Sequence, residues 1–196
     1  MDDKMQSKIL ITSDSHVSHI NILAYCGRPF KDITEMNDEI VRRWNSVVSA
    51  DDTVYHLGDV AFGSVKTAEE VLFRLNGKIV LVAGNHDRRL KKTDALRARF
   101  EKIVDYYELK VPEEREGIVL SHFPFAVWNS SHHGALHFHG HCHSTPGRTP
   151  TGTSLRCDVG MDNFDFTPRT LAEIRERMRQ YPEHANFDYH NEDTSR

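Results

Sequence analysis

The chain has 196 residues, 38% hydrophobic and 28% charged, with a formal net charge of −4 at pH 7. That length fits one core better than two, and the composition excludes an intrinsically disordered chain. The slight negative balance gives no basic footprint, so a broad electrostatic grip on nucleic acid is not indicated, although one local basic cleft stays open.

The opening Met1-Asp2-Asp3-Lys4 lacks the apolar core of a signal peptide, and no apolar run is long enough to span a membrane. Three scattered cysteines, Cys26, Cys142 and Cys157, are odd in number and do not form a disulfide framework. Together these features predict a cytoplasmic protein. The unusual feature of the composition is histidine, with 13 copies that cluster beside Gly, Asp and Pro inside the chain.

Residues 8–13 (KILITS) are apolar and rich in β-branched side chains, which predicts a buried strand that delivers Asp14-Ser15-His16 at its end. Ile33, Met36, Ile40, Val41, Trp44, Val47 and Val48 recur at spacings of three and four, so a helix with one core-facing stripe is expected, capped by Asp32. Residues 53–57 form a second strand running into Gly58-Asp59, followed by a helix over 66–75 that stops at Asn76-Gly77. Residues 78–83 form a third strand, running into Gly84-Asn85-His86-Asp87. An apolar strand ending in a polar loop and then helix, three times over, predicts an α/β sheet with its site at the carboxyl edge of the strands.

Beyond an expected helix over 88–100 the texture changes. Residues 103–111, a charged turn at 112–117, and 118–120 read as antiparallel strands, so the fold is layered α+β rather than purely doubly wound. Short strands are expected near 136–138 and 155–159, flanking a Gly/Pro/Thr-rich loop at 144–154 that is long enough to move and to border a site. Thr167-Pro168 is expected to open a terminal helix, with Thr as N-cap. One domain over 1–181 and a loose polar tail over 182–196 complete the reading.

Five motifs carry chemistry: Asp14-Ser15-His16, Gly58-Asp59, Gly84-Asn85-His86-Asp87, Ser121-His122, and Gly140-His141-Cys142-His143. Their oxygen and imidazole donors suit Mn, Fe, Ni or Zn better than a thiolate-rich structural zinc, and the set is too large for one ion. Any one motif has an ordinary reading, as a helix cap, a tight turn or outward histidines on a strand; the five together outweigh it.

In order, spacing and residue type these motifs resemble the calcineurin-like metallophosphoesterase superfamily, particularly its small single-domain bacterial and phage-type members, over residues 9 to about 160. The resemblance implies two mixed β-sheets packed as a sandwich between helices, with a dinuclear metal centre at the sheet edge. It implies that Asp14, His16, Asp59 and His143 hold one divalent ion and Asp59, Asn85, His122 and His141 the other, with Asp59 bridging. Manganese is the leading expectation. The implied reaction is hydrolysis of a phosphodiester or phosphomonoester by metal-bound hydroxide, with His86 at the leaving oxygen and Asp87 orienting His86. A small phosphate ester or a nucleotide is the expected substrate.

The stretch also departs from one branch of that superfamily. Gly58-Asp59-Val60 is not followed by the Asp-Arg-Gly of the protein Ser/Thr phosphatases, and Asp87 stands where they carry Glu, so a phosphoprotein substrate is disfavoured. A binding scaffold with a decayed centre is the rival of a different class, opposed by the intact ligand set. A small nuclease is a third reading and would need a groove for a polyanion.

Among the remaining residues, His19 is a candidate for the shell behind the metals or for the substrate pocket, and His56 for a satisfied core histidine. His132, His133, His137 and His139 read as loop solvation or strand packing, and Cys142 as a small packed residue facing away from the metals. Arg28 and Arg88 could bind a substrate phosphate or form ordinary salt bridges. Phe125 and Trp128 could line a pocket or cover the core, and Asp162 has no assigned role.

Overall fold

The computed structural model describes residues 7–143 and 152–185. In chain order its strands are β1 (Ile9–Thr12), β2 (Thr53–His56), β3 (Lys78–Val82), β4 (Lys102–Val104), β5 (Tyr107–Val111), β6 (Glu114–Leu120), β7 (Leu136–His139), β8 (Gly152–Thr153), β9 (Arg156–Asp158) and β10 (Arg169–Thr170). The helices are α1 (Ile22–Tyr25), α2 (Ile33–Val47), α3 (Val65–Leu72), α4 (Arg88–Lys92), α5 (Asp94–Arg97) and α6 (Leu171–Met178).

The strands form two five-stranded mixed sheets, ordered β10-β1-β2-β3-β4 and β5-β6-β7-β9-β8. In the first, β1 to β4 are parallel and β10 is antiparallel to β1; in the second, β6, β7 and β9 are parallel between antiparallel edges. Side chains of a strand alternate between its faces. Leu10, Val54 and Ile79 accordingly pack with Met36, Ile40 and Trp44 of α2 and with Ala68, Val71 and Leu72 of α3. Their neighbours Ile11, Tyr55 and Val80 pack against Ile118, Leu120 and Phe138 of the second sheet. The expected sandwich of two mixed sheets flanked by helices is therefore what the chain builds.

The long amphipathic helix is α2, and the Asp32 carboxylate accepts the Glu35 N–H as its cap. Elsewhere the elements differ from the expectation. The helix expected over 88–100 is two short ones, because Thr93 takes extended backbone (φ −104°, ψ 109°). The single strand expected over 103–111 is split between the two sheets: β4 closes the first beside β3, and β5 opens the second. Most of the expected turn at 112–117 is strand β6. The terminal helix begins at Leu171, not after Thr167: Thr170 is its N-cap in a capping box with Glu173, and Arg169–Thr170 first pair with β1. Residues 182–185, expected to begin the tail, are tied to the body by the Ser154 N–H donating to Pro182 O at 2.8 Å and the His184 N–H donating to Ser154 Oγ at 3.1 Å. The rest of that tail, and residues 144–151 of the expected loop, lie outside the described residues. Among the described residues no helix is long and apolar enough to cross a membrane.

Candidate metal centre

Parallel pairing places the ends of β1, β2 and β3 side by side, with Thr12 opposite His56 and His56 opposite Leu81. The loops that follow deliver Asp14 and His16, then Asp59, then Asn85 and His86 to one edge. The ends of β6 and β7 bring His122, His141 and His143 to it from the second sheet. Backbone bonds lock the first two loops together: the Asp14 N–H donates to Gly58 O at 3.0 Å and the His16 N–H to Asp59 O at 3.1 Å.

Asp14, His16, Asp59, His141 and His143 all have left-handed backbone, with φ between 49° and 72°. Such a conformation costs a non-glycine residue about 1–3 kcal/mol, and clusters of it mark sites where side-chain direction matters more than local stability. Two glycines complete the cradle. A Cβ on Gly84 would collide with Asp59 Oδ1, and one on Gly140 with Ser13 Oγ and Asp14 Oδ2.

Each aspartate uses one oxygen to hold backbone and turns the other toward imidazoles. Asp14 Oδ2 accepts the His141 N–H at 2.9 Å, and Oδ1 lies 3.7 Å from His16 Nε2 and 3.6 Å from His143 Nε2. Asp59 Oδ1 accepts the His86 N–H at 2.9 Å, and Oδ2 lies 3.6 Å from His122 Nε2 and 3.8 Å from His16 Nε2. Asn85 Oδ1 is 3.0 Å from His122 Nε2. Two groups result, Asp14 with His16 and His143, and Asp59 with His122 and His141, each with ligand atoms within 4.8 Å of one another. Asp59 Oδ2 stands between them.

The donor set fits divalent cations. Asp14 Oδ1 and His16 Nε2 are buried without any hydrogen-bond partner, a costly state for a carboxylate oxygen and a ring nitrogen that point at each other. The rings are also oriented from behind. His122 Nδ1 bonds Leu57 O at 2.8 Å, and His143 Nδ1 bonds Asp162 Oδ2 at 2.8 Å, which leaves Nε2 of each facing the site. Burial alone would raise the Asp14 pKa, but the facing His16 imidazole and the charges of His143 and His122 carry it well below the usual carboxylate range. Burial opposes protonation of His143, yet bonds to Asp162 and Cys26 and the Asp14 charge push it up to about 11, so binding a cation there would displace a proton.

All seven expected ligands meet at this edge, and His86 lies half-exposed beside them, its Nε2 4.0 Å from Asp59 Oδ2. Asp87 is elsewhere than expected. It is fully buried, and its carboxylate accepts the N–H groups of Asp59, Val60 and Gly84 at 2.8, 2.9 and 2.8 Å, so it braces the Asp59 loop instead of orienting the His86 ring. Arg28 is buried and spent on structure: it pairs with Asp162 at 2.8 Å and donates to the carbonyls of Asp14 and Ser15. Asp162, read as roleless, is the hub that joins Arg28 to His143. No local pattern marks it, since its partners are distant in sequence.

His19 sits behind His16, with their Nδ1 atoms 3.0 Å apart, and burial with the His16 charge pulls its pKa down to about 4. His56 is a buried core histidine bonded to Ser15 Oγ at 2.9 Å. His137 and His139 are buried in β7, Trp128 packs against Val119 and Ala135, and Phe125 stacks on His137. Cys142 is half-buried and borders a cavity of about 700 Å³ with His16, Asp59, His86 and His143, while its Sγ lies within 4.8 Å of ligand atoms of His139 and Asp158, apart from the two groups of expected ligands.

The model of the calcineurin-like phosphoesterase family matches residues 7–183. An uncharacterized protein of Methanocaldococcus jannaschii is 34% identical over 164 residues, covering 80% of this chain and 84% of that one. The gene 66 protein of Mycobacterium phage D29 is 28% identical over 204 residues, covering 90% of this chain and 98% of that one. A solved structure from Aquifex aeolicus, of a protein of unknown function, superimposes with a TM-score of 0.68 at 23% identity, covering 88% of this chain and all of that one, and so shares the fold.

Proposed function

The chain belongs to the calcineurin-like phosphoesterase family, and we propose that it hydrolyses a phosphodiester or phosphomonoester with two divalent cations held by its seven converging ligands. Asp14, His16 and His143 would hold one ion, Asn85, His122 and His141 the other, and Asp59 both. The observation that carries this reading is the pair of buried, unpartnered atoms Asp14 Oδ1 and His16 Nε2, with Asp59 Oδ2 between the two ligand groups. Bound there, the cations supply Lewis acidity to the phosphate oxygens and lower the pKa of water. The oxygen and nitrogen donors favour manganese, with iron, nickel or zinc as alternatives.

The chain's own residues do the rest. The two aspartates keep their inward oxygens free because backbone N–H groups occupy the outward ones. Asp87 fixes the peptide planes of Asp59 and Val60, and hence the direction of the Asp59 carboxylate. His86, at the mouth, holds the proton that the leaving oxygen takes up. The three cysteines are free thiols, in keeping with a reducing, cytoplasmic setting.

The test is a hydrolysis screen of chelator-stripped and manganese-reloaded protein against aryl monoesters, linear and cyclic diesters, and nucleotide pyrophosphates, with metal content measured on the same samples. Reloading should restore about two ions per chain and turnover of at least one ester class. A stripped protein as active as the reloaded one would sink the reading.

A further inference from the structure

Among the described residues neither Lys nor Arg lines the cavity at the metal centre, yet a run rich in positive charge follows its lining residue His86 in the chain. Residues 88–99 contain six Arg or Lys against the single Asp94 in a chain whose net charge is −4. Two of the six are engaged: Lys91 pairs with Asp105, and Arg99 donates to the carbonyls of Leu72, Leu75 and Gly77. Arg88, Arg89, Lys92 and Arg97 are exposed, and their side chains make no ion pair or hydrogen bond among the described residues. In α4, Leu90 is the buried anchor, and helical periodicity puts Arg88, Arg89 and Lys92 on the opposite, outward face. The strip starts two residues after His86.

A second feature meets it at His86. Tyr25, His19, Phe62 and His86 line the cavity in a chain of ring contacts: Tyr25 meets His19 edge-on at 6.2 Å, His19 and Phe62 stack face to face at 4.0 Å, and Phe62 is tilted against His86 at 4.9 Å. The outer end is open, with Tyr25 73% exposed. A ring row next to unpaired cations matches the two needs of a single strand of nucleic acid, whose unstacked bases require aromatic faces and whose phosphates require cations. A lone monoester would use neither feature. A duplex would not offer its bases to the rings, and an anionic bilayer would not reach rings set in a cavity.

We infer that the substrate is single-stranded nucleic acid, its scissile phosphodiester at the metal centre, a neighbouring base on the exposed Tyr25 ring at the open end of the His19–Phe62 stack and the following phosphates on Arg88, Arg89, Lys92 and Arg97. This rests on the hydrolase reading for the reaction, though not for the binding. The reaction balances as simple hydrolysis: water adds to phosphorus, one P–O ester bond breaks, and the leaving oxygen takes a proton.

The binding test needs no metal. Anisotropy of a fluorescein-labelled oligothymidylate is followed in chelator, so that nothing is cleaved. Each phosphate contact on a single strand contributes a salt slope of about −0.7, so four contacts should weaken binding about 50-fold between roughly 50 and 200 mM salt. The quadruple variant R88Q/R89Q/K92Q/R97Q should lose most of both the affinity and the slope. Neutralising four exposed cations elsewhere, K66Q/K110Q/R115Q/R179Q, should change neither, which separates the strip from net charge. Tyr25→Ala should weaken binding by about 5-fold or more through lost stacking. Equal losses in the two quadruple variants, or retention on phosphatidylserine vesicles without oligonucleotide binding, would overturn the inference. Turnover of bis(4-nitrophenyl) phosphate by the manganese-loaded protein reports on the hydrolase separately. If that ester is cleaved and the strand is not bound, the inference falls alone; if the strand is bound through the strip and no ester or oligonucleotide is cleaved, the hydrolase reading falls and the binding surface stands.

Discussion

Asp162 Oδ2 accepts from His143 Nδ1 at 2.8 Å and from Arg28 Nη2 at 2.9 Å, so one carboxylate oxygen joins a candidate metal ligand to a buried cation. The Arg28 side chain has no exposed surface and Asp162 is 9% exposed. Asp162 therefore both neutralises a charge that the fold has removed from water and sets which nitrogen of His143 faces the site.

Replacing Asp162 should separate those two roles. Asp162→Ala leaves Arg28 buried and unpaired and should cost about 3–5 kcal/mol of stability by urea unfolding. Asp162→Asn keeps the shape and should cost less, but should still weaken metal affinity roughly 10- to 100-fold in chelator competition, because the amide no longer stabilises the required His143 tautomer. Unchanged affinity in the Asn variant would show that His143 is not oriented through Asp162.

Asp59→Asn and His86→Ala should fail differently. The first removes the charge shared by both ligand groups, and metal content and turnover should drop together. The second should keep its metals and lose roughly 10²- to 10⁴-fold in kcat, the usual contribution of a positioned acid. Its defect should grow with the pKa of the leaving group, because an aryl oxide departs without a proton and an alkoxide does not. Metal loss in His86→Ala would make the residue a ligand.

Asp87→Ala should behave as a fold variant. The buried N–H groups of Asp59 and Val60 and the part-buried N–H of Gly84 lose their acceptor, and each buried group left unsatisfied costs about 1–3 kcal/mol. The unfolding midpoint should fall well below that of His86→Ala. A midpoint equal to wild type would mean that the loop finds other acceptors.

The buried His137 should make stability depend on pH. The Phe125 N–H donates to its Nε2 at 3.0 Å, so the ring proton sits on Nδ1 toward Val119 O, and the folded ring is neutral. Burial, with the nearby His139, pulls its pKa from 6.5 down to about 3. As pH falls below 6.5 the unfolded chain takes up a proton that the folded chain refuses until about pH 3. Stability that is fully present above pH 6.5 is lost across that window, at roughly 1 kcal/mol per pH unit from this group. His137→Gln should be less stable at pH 7.5 yet show a shallower loss toward pH 4. Parallel unfolding curves for the two proteins would rule out a neutral buried His137.

By itself the sequence determined the elements whose cause is local. Apolar strands that end in Asp, Asn and His, and the α2 stripe behind its Asp32 cap, are short-range patterns, and the seven residues that converge at the sheet edge sit in them. Tertiary packing decided the rest. Nothing near Asp162 identifies a partner 134 residues away in Arg28, and only the second sheet's approach gives His143 its bond to that carboxylate. Asp87 looks, in sequence, like a neighbour of His86; the turn of the chain instead buries it under the Asp59 loop, where three N–H groups claim its oxygens. The division of 102–111 between two sheets follows from sandwich closure, which periodicity within one strand does not encode. Net charge hid the basic strip for the same reason: a sum over the chain has no position, whereas a folded surface places charges where their fields add.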